Sequence, residues 1–192
     1  MAKHIVLGSG SPRRRELMAR ARFDFVVRTS NAEENYDPSL APAQIAQSLA
    51  RLKAEAVAKS LDSDEARDAV VIGADTIVAL DNTIYGKPNN AADACRMLGE
   101  LSGKTHQVIT GVCVIDGTEV QTFAETTDVC FRTLSSAEIE EYVAGGEPMD
   151  KAGAYGIQGD GGKLVDHIDG DFDNVVGLPI DRLAPKLQAL LD

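Results

Sequence analysis

Two stretches of this chain carry residue types that could do chemistry together. In the first, Gly8-Ser9-Gly10-Ser11 runs into Pro12 and then Arg13, Arg14 and Arg15. Ser11 is a good helix N-cap, and Pro12 suits the first helical position, where its missing N–H costs nothing. The arginines then fall in the first helical turn, where the dipole is positive and acidic side chains are preferred. A glycine-rich loop, backbone N–H groups at a helix start and adjacent guanidinium forks describe a phosphate cradle; the alternative is a solvated basic turn. In the second stretch, Val70-Val71-Ile72-Gly73-Ala74 reads as a strand buried on both faces, with Asp75 and Thr76 following directly on it. An acid at the carboxyl edge of a strand stands where open α/β sheets place their ligands, although an aspartate there can also simply begin a turn.

Other polar residues are less committed. Glu33 and Glu34 lie in the polar loop from Thr29 to Asp37, as a second acidic cluster or as solvated surface. Lys53 flanks the apolar stripe of a helix, free either to snorkel outward or to reach into a cleft. Lys87, between Gly86 and Pro88, has an extended backbone and a defined origin for its ammonium, or is a plain exposed lysine. His106, in a strand, reads as a hydrogen-bonded structural residue before a catalytic one. From Met149 to Gly162 the glycines prevent a good helix or long strand and let backbone approach a ligand, unless the stretch is a flexible connector. The loop after the first strand matches neither G-x-x-x-x-G-K-[ST] nor G-x-G-x-x-G.

The elements that must position these residues are set by local signals. His4 to Leu7 and Phe23 to Arg28 read as strands, and Ala43 to Lys59 as a helix burying Ile45, Leu49, Leu52 and Ala56. An acidic connector, Leu61 to Asp68, leads to the central strand. A hairpin at Asp81-Asn82 returns through Ile84-Tyr85, and a helix from Asn90 to Gly99 carries Ala91, Ala94, Cys95 and Leu98 on one face. Two strands, Thr105 to Ile115 and Val120 to Phe131, join near Asp116-Gly117, so the sheet is mixed. Ser135 and Glu138 have capping-box spacing for a helix to about Val143. A strand from Lys163 to Ile168 and a closing helix with Leu183, Leu187 and Leu190 complete an α/β chain, with no internal repeat.

Composition bounds the function. The chain has 192 residues, 44% of them hydrophobic and 26% charged, as expected of a soluble globular protein of one domain or two small lobes. No apolar run approaches the ~20 residues of a membrane helix, and no secretory leader is evident, so a cytoplasmic protein is expected. Cys95, Cys113 and Cys130 are widely spaced and suggest neither a disulfide framework nor a zinc site, only buried thiols. A net charge of −11 argues against nucleic acid as partner. Residues 1–28 nevertheless hold seven Lys+Arg against two acids, a local +5 on a remainder of −16. That focusing suits a small polyanion.

Ser9-Gly10-Ser11-Pro12-Arg13-Arg14-Arg15-Glu16-Leu17, Gly73-Ala74-Asp75-Thr76, Gly86-Lys87-Pro88, the run from Asp150 to Gly159, and Val175-Val176-Gly177-Leu178-Pro179 resemble the signature blocks of the Maf family of nucleotide pyrophosphatases, in family order. Arg15 and Met18 are local departures. The resemblance implies a single domain over residues 1–192: a mixed twisted sheet with flanking helices and two lobes around a central cleft, related to the inosine-triphosphate pyrophosphatase fold, in a family whose members are often homodimers. It also implies hydrolysis of a nucleoside triphosphate to monophosphate and pyrophosphate with a divalent metal, Mg²⁺ or Mn²⁺. Residue by residue, Asp75 matches the proposed proton acceptor, and Arg13, Thr76 and Gln158 match positions of substrate selection. Arg14, Glu33, Lys53 and Lys87 match polar residues of the active cleft. The Ala-Tyr-Gly-Ile-Gln-Gly ending resembles the subgroup acting on dTTP and UTP. The Gln158 amide can accept from a pyrimidine N3–H while donating to a ring carbonyl, and a flipped amide would equally suit cytosine.

On this reading Arg13, Arg14, Lys53 and Lys87 hold the triphosphate, while Glu33 and Asp75 hold the metal and Asp75 takes a proton from water. A metal-bound carboxylate is a weaker base, so the two roles of Asp75 compete. Two other classes stay open: a non-catalytic nucleotide-binding regulator, since the family is associated with arrest of cell division and septum formation, and a nucleotidyltransferase. Metal-dependent pyrophosphate release separates the enzyme from the regulator, and transfer to a sugar phosphate would reveal the transferase.

Overall fold

A computed structural model describes residues 3–191. Its strands are β1 (His4–Leu7), β2 (Phe25–Val27), β3 (Ala69–Leu80), β4 (Thr83–Tyr85), β5 (Thr105–Asp116), β6 (Glu119–Phe131) and β7 (Val165–Asp169). The helices are α1 (Pro12–Arg20), α2 (Pro42–Ser60), α3 (Ser63–Asp68), α4 (Ala91–Leu101), α5 (Ser136–Ala144), α6 (Phe172–Val176) and α7 (Ile180–Leu191). The strands form one mixed sheet in the order β2-β1-β3-β5-β6-β7, with β4 paired to β3. Pairing is parallel between β1 and both β2 and β3, and antiparallel between β3 and β4 and between β6 and β7. This is the mixed α/β class expected from the sequence.

Local signals act where they are read. Ser11 caps α1 by accepting from the Arg14 N–H, with Pro12 in the first turn. Ser135 and Glu138 form a reciprocal capping box on α5. Asp81 and Asn82 adopt φ of +49° and +64°, the left-handed pair a two-residue hairpin requires. Three expected element boundaries change. The connector before β3 contains α3, started by Asp62 accepting from the Asp64 and Glu65 N–H groups. The last strand begins at Val165, because Asp160–Leu164 is a 3₁₀ turn. Most consequentially, β3 does not end before Asp75 but runs on to Leu80.

The chain divides into two compact units. The first comprises the chain through Asp75, Thr110–Glu125 and the chain from Gly177 onward. Its core packs Val6, Val71, Cys113 and Ile115 against Ala50, Ala54 and Val57 of α2. The expected stripe of α2 is partly displaced: Ile45 and Leu49 are buried, whereas Leu52 and Ala56 are half-buried and the face is completed by Ala46, Ala50 and Ala54. Those alanines let helix backbone touch sheet backbone. A Cβ at Gly73 would lie 2.3 Å from the Ala50 carbonyl oxygen, and one at Gly111 would lie 2.2 Å from that of Ala46. Hence α2 rests directly on β3 and β5.

The second unit comprises Thr76–Ile109 and Thr126–Val176. Val78, Tyr85, Leu98, Leu101, Phe131, Tyr142 and Tyr155 are among its core residues. On α4 the buried face is Ala94, Met97, Leu98 and Leu101, while Ala91 is exposed, a rotation of the expected stripe. His106 is structural. Its Nε2 meets the Tyr155 Oη at 2.8 Å, its ring lies edge-on to Phe131, and burial pushes its pKa down to about 4.

Candidate functional site

The site of the first unit is built where β1 stops. Parallel pairing of β1 with β3 ends at Leu7 opposite Ile72, and Gly8 turns away after donating to the Ile72 carbonyl. A Cβ at Gly8 would sit 2.9 Å from that oxygen, so the turn is this tight only without a side chain. Because β3 outruns β1, Asp75 stands past the carboxyl end of a parallel neighbour although it lies inside its own strand. The premise of the ligand-edge reasoning is corrected: β1, not β3, supplies the strand end beside Asp75.

The loop from Gly8 leads into α1 and fixes Arg14. The Arg14 Nε donates to the Gly177 carbonyl at 2.7 Å, and Nη1 donates to the Ser9 Oγ and the Ala74 carbonyl, each at 3.0 Å. One guanidinium thereby ties the glycine loop, the residue before Asp75 and the Gly177 turn together. Burial draws the Arg14 pKa down, opposed by the nearby Asp75 carboxylate, and an arginine so placed remains a fixed cation.

From the other side α2 delivers Lys53. The contact of α2 with Gly73 sets its height over β3, and Lys53 donates to the Asp75 Oδ1 at 2.5 Å while pairing with the Glu34 Oε1 at 3.0 Å. The Lys53 and Asp75 side chains are 19% and 11% exposed, so this pair is largely withdrawn from water. Gly10, Arg14, Thr29, Ser30, Glu34 and Lys53 are among the residues lining a polar cavity here. A cavity with two cations, a hydroxyl-rich wall and a carboxylate held against the ammonium can receive an anion and keep an acceptor oxygen beside it.

The expected residues separate into groups. Arg14, Lys53 and Asp75 come together in this unit, and half-buried Arg13 adds its charge next to Arg14. Glu33 does not meet Lys53; it is exposed and accepts from the Asn35 side chain at 3.3 Å, and its neighbour Glu34 takes the place beside the lysine. Thr76, half-buried, and Lys87 and Gln158, both exposed, belong to the second unit. Sequence reasoning does not single out the Ser9 hydroxyl or the carbonyls of Ala74 and Gly177. A serine in an anion loop is a usable signal; a backbone acceptor leaves none.

Gln158 sits on a loop that is anything but a flexible connector. The loop contains three 3₁₀ turns, Glu147–Asp150, Ala152–Ala154 and Asp160–Leu164, and the Glu147 carboxylate ties the first of them to the third. Its Oε1 accepts from the Tyr142 hydroxyl at 2.9 Å and the Gly161 N–H at 3.1 Å, and its Oε2 from the Asp160 N–H at 3.1 Å. Lys151 donates to the Glu147 carbonyl at 2.8 Å. The glycines serve this packing, since a Cβ at Gly159 would meet the carboxylate at 2.5 Å.

Among the described residues no helix is long and apolar enough to cross a membrane. The profile of a family described as "Maf-like protein" matches residues 4–190. A dTTP/UTP pyrophosphatase of Bacillus cereus (strain ATCC 10987 / NRS 248) is 49% identical over 186 residues, which are 97% of this chain and 89% of the relative. One of Bacillus mycoides (strain KBAB4) is 50% identical over 186 residues, 97% and 95% of the two chains. The Staphylococcus aureus Ham1 protein superposes with a TM-score of 0.45 at 19% identity, over 67% of this chain and 72% of that one.

Proposed function

The chain belongs to the Maf family, and from that membership we propose that it hydrolyses dTTP and UTP to the nucleoside monophosphate and pyrophosphate. The observation that carries this reading is the Asp75 carboxylate held by Lys53 beside a cavity that Arg14 also lines. Cleavage between the α and β phosphates needs an aligned water, an acceptor for its proton and neutralisation of the leaving pyrophosphate. Asp75 accepts the proton; Lys53, turned from Asp75 toward the incoming phosphate, together with Arg13, Arg14 and Lys87, binds the triphosphate. Thr76 and Gln158 select the base, the Gln158 amide pairing with a pyrimidine imide.

The residues present fit a divalent metal. Asp75 has a second carboxylate oxygen besides the one that Lys53 holds, and Glu34, with Glu33 next to it, adds carboxylate oxygens of the hard type that Mg²⁺ and Mn²⁺ take. Such an ion, when bound, supplies charge neutralisation and a more acidic water. We also take from the family a cytoplasmic setting, a homodimer and a link to arrest of cell division.

The test is pyrophosphate release from a panel of ordinary and modified triphosphates with Mg²⁺ or Mn²⁺. The expected result is turnover of dTTP and UTP, lost on chelation and abolished by Asp75→Asn with nucleotide binding retained. Near-normal turnover by that variant removes Asp75 from the mechanism, and binding without turnover by the wild type makes the protein a nucleotide-binding regulator.

A further inference from the structure

The proposed hydrolysis uses none of Cys130, Asp166 and His167, which lie in the second unit where β6 pairs with β7. In that ladder Cys130 faces His167, but the next pair is Phe131 with Val165, so Asp166 is an extra residue with no opposite number. In a regular strand Asp166 and His167 would point to opposite faces. The bulge sets both against one residue of the partner strand and re-aims their side chains. As a result one thiol, one carboxylate oxygen and one imidazole nitrogen lie within 4.8 Å of one another. The Asp166 Oδ2 meets the His167 Nδ1 at 2.7 Å, while the thiol makes a weak 3.8 Å contact to the Phe131 carbonyl. Cys130 is not in a disulfide, and the Asp166 and His167 side chains are 60% and 64% exposed, so solvent and ions reach the group.

We propose that Cys130, Asp166 and His167 form a binding site for a borderline transition-metal dication of the Zn²⁺ type, created by the bulge between β6 and β7. Sulfur with imidazole nitrogen favours such an ion over Mg²⁺ or Ca²⁺, and a single carboxylate is compatible with it. Bonds of roughly 2.0–2.3 Å set neighbouring ligand atoms about 3.5 Å apart, so the 2.7 Å Asp166–His167 contact opens while the two side chains close on the half-buried thiol, within the rotamer freedom of exposed Asp166 and His167. On binding, the Cys130 thiol gives its proton to solvent as the sulfur–metal bond forms, the imidazole nitrogen exchanges its contact with Asp166 for the metal, and water fills the fourth position. No electron is transferred. The site is thus chemically separate from the all-oxygen set around Asp75.

Titration of the reduced full-length protein with Co²⁺, followed by displacement with Zn²⁺, tests this. The expected result is a near-ultraviolet thiolate-to-cobalt charge-transfer band with visible bands of a four-coordinate ion, both removed by Zn²⁺ and insensitive to excess Mg²⁺. Cys130→Ser should abolish the charge-transfer band and His167→Ala should weaken Co²⁺ binding by about tenfold or more, with Cys95→Ser unchanged and circular dichroism confirming folded variants. Absence of the band in the wild type, or its persistence in Cys130→Ser, overturns the proposal, as does wild-type affinity in His167→Ala.

Discussion

Replacing Lys53 by methionine keeps the stem that packs along α2 and removes only the ammonium. The size of the effect depends on how far the pair is withdrawn from solvent. Exposed ion pairs contribute about 0.2–1 kcal/mol, whereas removing one partner of a fully buried pair costs about 3–5 kcal/mol. The Lys53 and Asp75 side chains keep 19% and 11% of their exposure, so the pair lies nearer the buried limit, discounted for residual screening. Arg14, the other cation near Asp75, softens the loss. The expected destabilisation is about 2 kcal/mol, or a fall in Tm of about 4–8 °C for a chain of this size. Glu34, whose side chain is 57% exposed, should contribute little, so Glu34→Gln is expected to shift stability by under about 0.5 kcal/mol. Urea and thermal unfolding of Lys53→Met, Asp75→Asn and the double variant give the coupling directly, with about 1–2 kcal/mol expected and only weak dependence on salt. A coupling below about 0.3 kcal/mol would refute the claim that α2 positions Asp75 through Lys53.

Gly73→Ala puts a methyl group into the Ala50 carbonyl, so α2 must lift from β3; a loss of about 1–3 kcal/mol in urea unfolding is expected, with a larger fall in turnover than stability explains. Equal turnover per folded molecule would show that the height of α2 is irrelevant to the site. Glu147→Ala strips acceptors from two backbone N–H groups and a tyrosine hydroxyl, so faster amide exchange at Asp160 and Gly161 and about 1–3 kcal/mol of lost stability are expected. Unchanged exchange there would mean that the loop holds itself. Burial depresses the His106 pKa from 6.5 to about 4, so the unfolded chain takes up a proton that the folded one refuses. The contribution is whole above about pH 6.5 and falls by about 3 kcal/mol toward pH 4. His106→Phe should therefore flatten the acid limb of the stability curve in that window, and an acid limb identical to wild type would contradict the assignment.

The residues legible from sequence are those whose signal is carried within a few positions. Ser11 and Pro12 start α1, Ser135 and Glu138 box the start of α5, and Asp81-Asn82 turn the hairpin, because each rule involves bonds closed inside one turn of chain. The blocks around Arg13, Asp75 and Lys87 and the run to Gln158 are equally readable, as strings of residues and as a resemblance to one family. What the sequence cannot decide is which side chain meets which. Glu33 and Glu34 are indistinguishable as letters; only the path of the loop beside α2 gives Lys53 to Glu34. That Asp75 lies inside a strand and still past the end of its parallel neighbour depends on where β1 stops, a matter of register between residues far apart in the chain. The grip of Arg14 on the Ala74 and Gly177 carbonyls uses acceptors that every residue possesses, so no letter marks them. The same holds for the bulge at Asp166, where one extra residue in the β6–β7 ladder sets the adjacent Asp166 and His167 beside Cys130, which nothing in its position along the chain relates to them.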